Sequence, residues 1–271
     1  MRSAYAFLIF ALIVLAPAAA RAAEGCTLVV DYDTTAILHE EGDCKTRYGA
    51  QSTFKIPLAV MGFDSGILNS AHSPVWPYDR RYESNREEER HPADPARWEK
   101  DSIVWYSQQI TRKLGTRKFK SYVKKFNYGN KDVSGDPGKN NGLTNAWLSS
   151  SLQISPVEQV AFIRALLGKK LGVSDSAYRL TKEIIPRFYA GGFAVHGKTG
   201  TGFKRAADGS VDRNLQQGWF VGWAEGMGKK IVFAKFIADD KKETGYAGLR
   251  ARDAFLKELP EIMAMDRHNE H

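Results

Sequence analysis

The sequence predicts an α+β fold: one antiparallel β-sheet built from both chain ends and flanked by terminal helices, with a helical lobe between them. Three observations predict it. Short β-rich runs open the mature chain, and a long stretch of 3.6-residue apolar periodicity follows. Three runs rich in β-branched and aromatic residues then cluster between Phe193 and Ile237. An amphipathic helix from Tyr246 to Met263 closes the chain, with Leu249, Ala254, Phe255, Leu259 and Ile262 apolar. Residues 24–50 and 190–271 are thereby assigned to a sheet lobe and 51–189 to a mainly helical lobe of one domain, 23–271.

The first residues set the compartment. Arg2 precedes an apolar core, Ala4 to Ala16, and small residues ending in Ala20-Arg21-Ala22, the pattern of a secretory signal peptide over residues 1–22. Its apolar run is too short to span a bilayer, and no later stretch is long and apolar enough. The expectation is an exported, periplasmic protein with no membrane contact after cleavage. Composition, 43% hydrophobic and 26% charged, is that of an ordinary globular domain. The net charge of +8 falls by two once Arg2 and Arg21 are removed. Basic residues are interspersed with acids, so no nucleic-acid stripe stands out, and the mild basicity suits anionic small molecules or simply solubility. The 6 histidines show no ligand spacing, so no metal is expected. Cys26 and Cys44 flank a hairpin; in an oxidising compartment they could be bridged, and two buried thiols are the alternative.

Taken in order, Thr27–Tyr32, a turn at Asp33-Thr34, and Thr35–His39 form the first hairpin. Gln51-Ser52-Thr53-Phe54-Lys55-Ile56-Pro57 opens an apolar helix, where proline is tolerated near the front. Ser73 to Lys100, rich in Pro, Arg, Glu and Asp, reads as a long surface excursion, with Arg86-Glu87-Glu88-Glu89-Arg90 solvated. From Ser102, the residues Val104, Ile110, Leu114, Phe119, Tyr122, Val123 and Phe126 set a helical period that ends at Asn127-Tyr128-Gly129-Asn130. Ser155 is an N-cap, Pro156 sits at the first helical position and Glu158 completes a capping box. Asp175 to Ile185 is a further helix, stopped before Pro186. Phe193–Thr201, Gly218–Ala224 and Lys230–Ile237 are strands, the last two joined by the hairpin loop Glu225-Gly226-Met227-Gly228.

Ser52 and Lys55 stand three apart, a spacing that puts both on one helix face. A serine hydroxyl is a poor nucleophile until something takes its proton. A lysine does so only as a neutral amine or after modification. Phe54, Ile56 and Leu58 can supply the burial that lowers the lysine pKa. His196 alternates with Val195 along a strand and is read as facing the opposite side, without a catalytic role.

Ser52-Thr53-Phe54-Lys55, Ser102-Ile103-Val104, Tyr128-Gly129-Asn130 and Lys198-Thr199-Gly200, in that order, resemble the motif set of the class D serine β-lactamases, the oxacillinases. Trp147 and Trp219-Phe220-Val221-Gly222-Trp223 fit as well, and the resemblance covers essentially the whole mature chain. It implies the serine β-lactamase and penicillin-binding transpeptidase fold, and hydrolysis of β-lactam antibiotics through an acyl-enzyme on Ser52. Lys55 would carry CO2 as N6-carboxylysine and serve as general base for both half-reactions, with CO2 or bicarbonate as its source and no other cofactor. Trp147 would hold that carbamate through its indole N–H, and Val104 and Leu148 would keep the pocket dry. Ser102 would relay a proton to the leaving nitrogen, and Lys198 would supply positive potential.

The backbone N–H groups of Ser52 and Thr201 would form the oxyanion hole. Tyr128, Asn130, Thr199 and Gly200 would border the substrate, with the strand edge pairing its amide, and Arg250 would pair its carboxylate. The implied partner is a small-molecule β-lactam, bound by a monomer or homodimer. Three features depart from the commoner pattern: a longer loop from Lys131 to Ala146, Ser107 in place of a bulky aromatic, and Thr201 after Lys-Thr-Gly. All three border the substrate, so they bear on the antibiotic spectrum. The alternative is a penicillin-binding protein or a β-lactam sensor that acylates without efficient turnover. The Tyr-Gly-Asn loop and Trp147 weigh against the first, and the lack of several membrane helices against the second.

Overall fold

Alternating apolar residues at both chain ends build a single six-stranded antiparallel sheet in the computed structural model, which describes residues 25–269 except 83, 85 and 206–209. The leader expected over residues 1–22 lies outside the described residues. The strands are β1 (Gly25–Asp31), β2 (Ile37–Gly42), β5 (Arg187–Ala190), β6 (Phe193–Arg205), β7 (Val211–Gly226) and β8 (Lys229–Ala238), in spatial order β2-β1-β8-β7-β6-β5. A separate two-stranded ribbon pairs β3 (Tyr48–Gly49) with β4 (Gln153–Ile154). The β7–β8 loop is tighter than expected: Met227 (φ 53°) and Gly228 (φ 76°) alone turn the chain, both left-handed as a two-residue hairpin of this twist requires. Cys26 and Cys44 form a disulfide that ties β1 to the segment after β2.

The two-residue period sorts the sheet's faces. Val29, Val195, Phe220 and Phe233 point toward α7 (Ala247–Asn269), where Phe233 stacks on Phe255 with ring centroids 3.9 Å apart. Leu28, Val30, Trp219, Val221 and Trp223 point the other way, into a larger core shared with the helices. At its centre lies α1 (Lys55–Asp64), buried from Lys55 through Phe63, as a helix apolar on all sides must be. Around it stand α3 (Val104–Lys125), α5 (Pro156–Leu167) and α6 (Asp175–Ile184). Ser155 caps α5 through the predicted capping box, and Arg47 clamps its Glu158. Gly115 (φ 71°, ψ 161°) breaks α3 into two helices, which its apolar period did not reveal.

The segment from Ser73 to Lys100 is not a solvated excursion throughout. Trp76 bridges to Ala93 and stacks on Tyr106 at 4.4 Å. Asp94 caps α2 (Pro95–Asp101), and both Trp98 and Glu99 of that helix are fully buried. Glu89 is also buried: Arg86 pairs with it, and Trp105 Nε1 donates to its carbonyl at 2.7 Å. Arg86, rather than water, satisfies the buried Glu89 carboxylate.

Candidate active site

Ser52 sits in a single 3₁₀ turn, Gln51–Phe54, at the front of α1. Gln51 is left-handed (φ 53°) and donates its backbone N–H to Trp147 O at 2.8 Å, which fixes how the turn enters the helix. Phe54 packs among Phe119, Tyr128 and Trp147, with the Trp147 ring stacked on it at 5.5 Å. Ser52 is partly exposed, while Lys55 behind it is 1% exposed. The Lys55 Nζ donates to Ser52 Oγ at 3.3 Å. Burial, then the Lys198 cation, lowers the Lys55 pKa to about 7, against the opposing pull of Glu99 and Glu89.

The second pair comes from two other elements. Ser102 ends α2 in a left-handed conformation (φ 60°), and the guanidinium of Arg86 donates to the carbonyls of Asp101 and Ser102. That conformation turns its hydroxyl toward β6, where Lys198 Nζ donates to Ser102 Oγ at 3.1 Å and to Thr199 O at 3.1 Å. Lys198 is 2% exposed; burial lowers its pKa to about 8, with Glu99 opposing the shift and Arg86 adding to it. Two buried amines are thus held against two accessible hydroxyls.

β6 runs directly past the serine turn. A Cβ at Gly200 would lie 3.1 Å from Ser52 N, so any larger residue would crowd the serine turn. β5 pairs with β6 from Phe193 to His196 alone, which leaves the Lys198–Thr201 edge without a strand partner among the described residues. The Thr201 hydroxyl accepts from Gly248 N at 2.9 Å, docking the start of α7 on this strand. Val104 at the head of α3 and Leu148 beside Trp147 are partly exposed.

Several predicted residues take other positions. Tyr128 is fully buried, and its hydroxyl donates to Gln159, which in turn donates to Thr53 Oγ1 at 2.8 Å. Asn130 donates to Ser151 O and accepts from the Asp132 and Gln153 amides. Tyr128 thus braces the turn that carries Ser52, while Asn130 ties its own loop to the Ser151–Gln153 segment. Ser107, expected near the pocket, is buried and accepts from Trp98 Nε1 at 2.9 Å. Arg250 pairs through both terminal nitrogens with Asp239, at 2.9 and 2.7 Å, rather than standing free. His196 shares the face of Lys198, not the opposite one, because residues two apart along a strand do; it stacks on Trp223 at 4.8 Å. Sequence reasoning missed Glu99 altogether. Its one signal was the three-residue spacing to Ser102, which resembles any charged position in an acidic and basic run.

Residues 25–261 match the penicillin binding protein transpeptidase domain family. Beta-lactamase OXA-9 of Klebsiella pneumoniae is 48% identical over 240 residues, 88% of this chain and 88% of its own. Beta-lactamase OXA-1 of Escherichia coli is 37% identical, covering 84% of this chain and 81% of its own. The crystal structure of the OXA-427 class D β-lactamase superposes with a TM-score of 0.83 at 43% identity, over 89% of this chain and 99% of that one. With its paired serines and lysines in the positions described, the chain belongs to the class D serine β-lactamases.

Proposed function

We propose that this class D β-lactamase is exported to the periplasm and hydrolyses β-lactam antibiotics through an acyl-enzyme on Ser52, with carboxylated Lys55 as general base in both half-reactions. One observation carries the reading: the Lys55 amine is 1% exposed, 3.3 Å from Ser52 Oγ, and has a pKa brought down to about 7 by burial. An ammonium offers no lone pair; a neutral, buried amine accepts CO2. Carbon dioxide added there supplies an anionic oxygen base beside the nucleophile.

The remaining residues follow from their placement. Ser52 Oγ attacks the lactam carbonyl, whose oxygen moves toward the backbone N–H groups of Ser52 and Thr201. Such donors contribute about 3 kcal/mol each to the barrier. Ser102 passes a proton to the leaving nitrogen, and Lys198, donating to Ser102 Oγ, supports that transfer. The open edge of Thr199 and Gly200 pairs the substrate amide. Trp147 offers its indole N–H to the modified lysine, and Val104 and Leu148 shield it. Arg250 serves the substrate carboxylate through its positive field, weakened by Asp239.

The pH dependence has a definite sign. The Lys55 amine is protonated below about pH 7 and neutral above it. At fixed, subsaturating dissolved CO2 the turnover rate is expected to fall at least about tenfold from pH 8 to pH 6. Initial rates on a chromogenic cephalosporin read this directly, and sustained colour beyond one equivalent separates hydrolysis from a sensor's single acylation. A flat profile across that interval contradicts the reading.

A further inference from the structure

Glu99 has no role in the chemistry above, yet α2 carries it beneath the site. Its side chain is 0% exposed, and neither carboxyl oxygen has a hydrogen-bond partner among the described residues. An unpartnered buried carboxyl is costly, and an apolar side chain would be more stable there. Five charged groups gather at this level: Lys55 from α1, Lys198 from β6, Glu99 from α2, and Arg86 and Glu89 from the segment before α2. Arg86 and Glu89 pair with each other. Lys55 and Lys198 donate to hydroxyls and a carbonyl, not to a carboxylate. Glu99 is therefore the carboxyl in the cluster free to take a proton. Burial raises its pKa to about 7 against the opposing pull of Lys198 and Lys55.

Carboxylation of Lys55 raises a problem that this geometry resolves. Adding CO2 to an amine releases a proton, here from a lysine that is 1% exposed, and places a new negative charge near Glu99. We propose that Glu99 is the internal proton acceptor for carboxylation of Lys55. The Lys55 nitrogen lone pair forms the N–C bond, and one C=O pair of CO2 moves onto oxygen. The proton lost from nitrogen ends on the Glu99 carboxylate. Amine, CO2 and carboxylate become carbamate and carboxylic acid, with one negative charge before and after. This rests on the reading of Lys55 as carboxylated.

With the acceptor inside, no proton leaves for solvent while Glu99 is ionised before carboxylation and held protonated after it by the new carbamate charge, so affinity for dissolved CO2 changes little with pH. Without it, affinity rises about tenfold per pH unit, because each carbamate formed releases one proton. The test is the ¹³C NMR carbamate signal of protein titrated with ¹³C-labelled CO2 between about pH 7.5 and 8.5, where Lys55 is mostly neutral. Wild type and Glu99→Asp are expected to give nearly constant half-saturation. Glu99→Gln is expected to improve about tenfold per unit across the same interval. Glu99→Met, whose unbranched apolar chain suits a site without hydrogen-bond partners, repeats the measurement should the amide variant fold poorly. Equal pH dependence in wild type and both variants overturns the role of Glu99. No carbamate signal in any form overturns the reading of Lys55 itself, and the proposal with it.

Discussion

Lys55→Ala is expected to acylate and then stall, with deacylation slowed about 10²- to 10⁴-fold, the range a positioned general base supplies. The geometry leaves little in reserve. Lys198 is engaged with Ser102 and Thr199, and His196 is stacked on Trp223. A water entering to cleave the acyl-enzyme would find no base beside Ser52. Truncation also removes a buried amine whose burial already disfavours its charge, so the fold should be little harmed. Stopped-flow colour release should show one equivalent and then a slow phase, and intact mass should show the protein carrying one acyl group. Added bicarbonate should not restore turnover. Full turnover in this variant would remove Lys55 from the mechanism.

Trp147→Ala is expected to lose about 3–5 kcal/mol of stability, the usual cost of deleting a fully buried large aromatic. The ring stacks on Phe54, and the Trp147 carbonyl receives the Gln51 amide that sets the serine turn. Loosening the Phe54 packing beside Lys55 is expected to admit water, and a hydrated amine regains its proton. Deacylation should suffer more than acylation, and the acid limb of the rate profile should move to higher pH. Trp147→Phe separates the two roles of the residue. It should recover most of the stability in urea unfolding while leaving deacylation slow, since phenylalanine has no N–H to offer the modified lysine. Equal slowing of both half-reactions in Trp147→Ala, with no shift of the acid limb, would reduce Trp147 to packing.

Local chemistry was legible in the sequence wherever neighbours in the chain decide it. The Ser155, Pro156 and Glu158 cap, the β7–β8 hairpin and the pairing of Ser52 with Lys55 all depend on residues a few positions apart. Lys198 reached Ser102 as the motif order implied. What stayed hidden was set by partners distant in sequence. Glu89 and Glu99 lie in a run so charged that solvation is its simplest reading, yet Trp98 and Trp105 anchor it inward. The pairing of Arg250 with Asp239 and the turning inward of Tyr128 depend on packing that no local pattern encodes. The break at Gly115 was masked because apolar residues keep the same spacing on both sides of it.

The most direct measurement is a ¹³C NMR spectrum of the protein in labelled bicarbonate, recorded alongside turnover across pH. A single carbamate carbon is expected, absent in Lys55→Ala, fading below about pH 7 in step with the rate. An unmodified Lys55 in protein that is still hydrolysing β-lactam would contradict the mechanism outright.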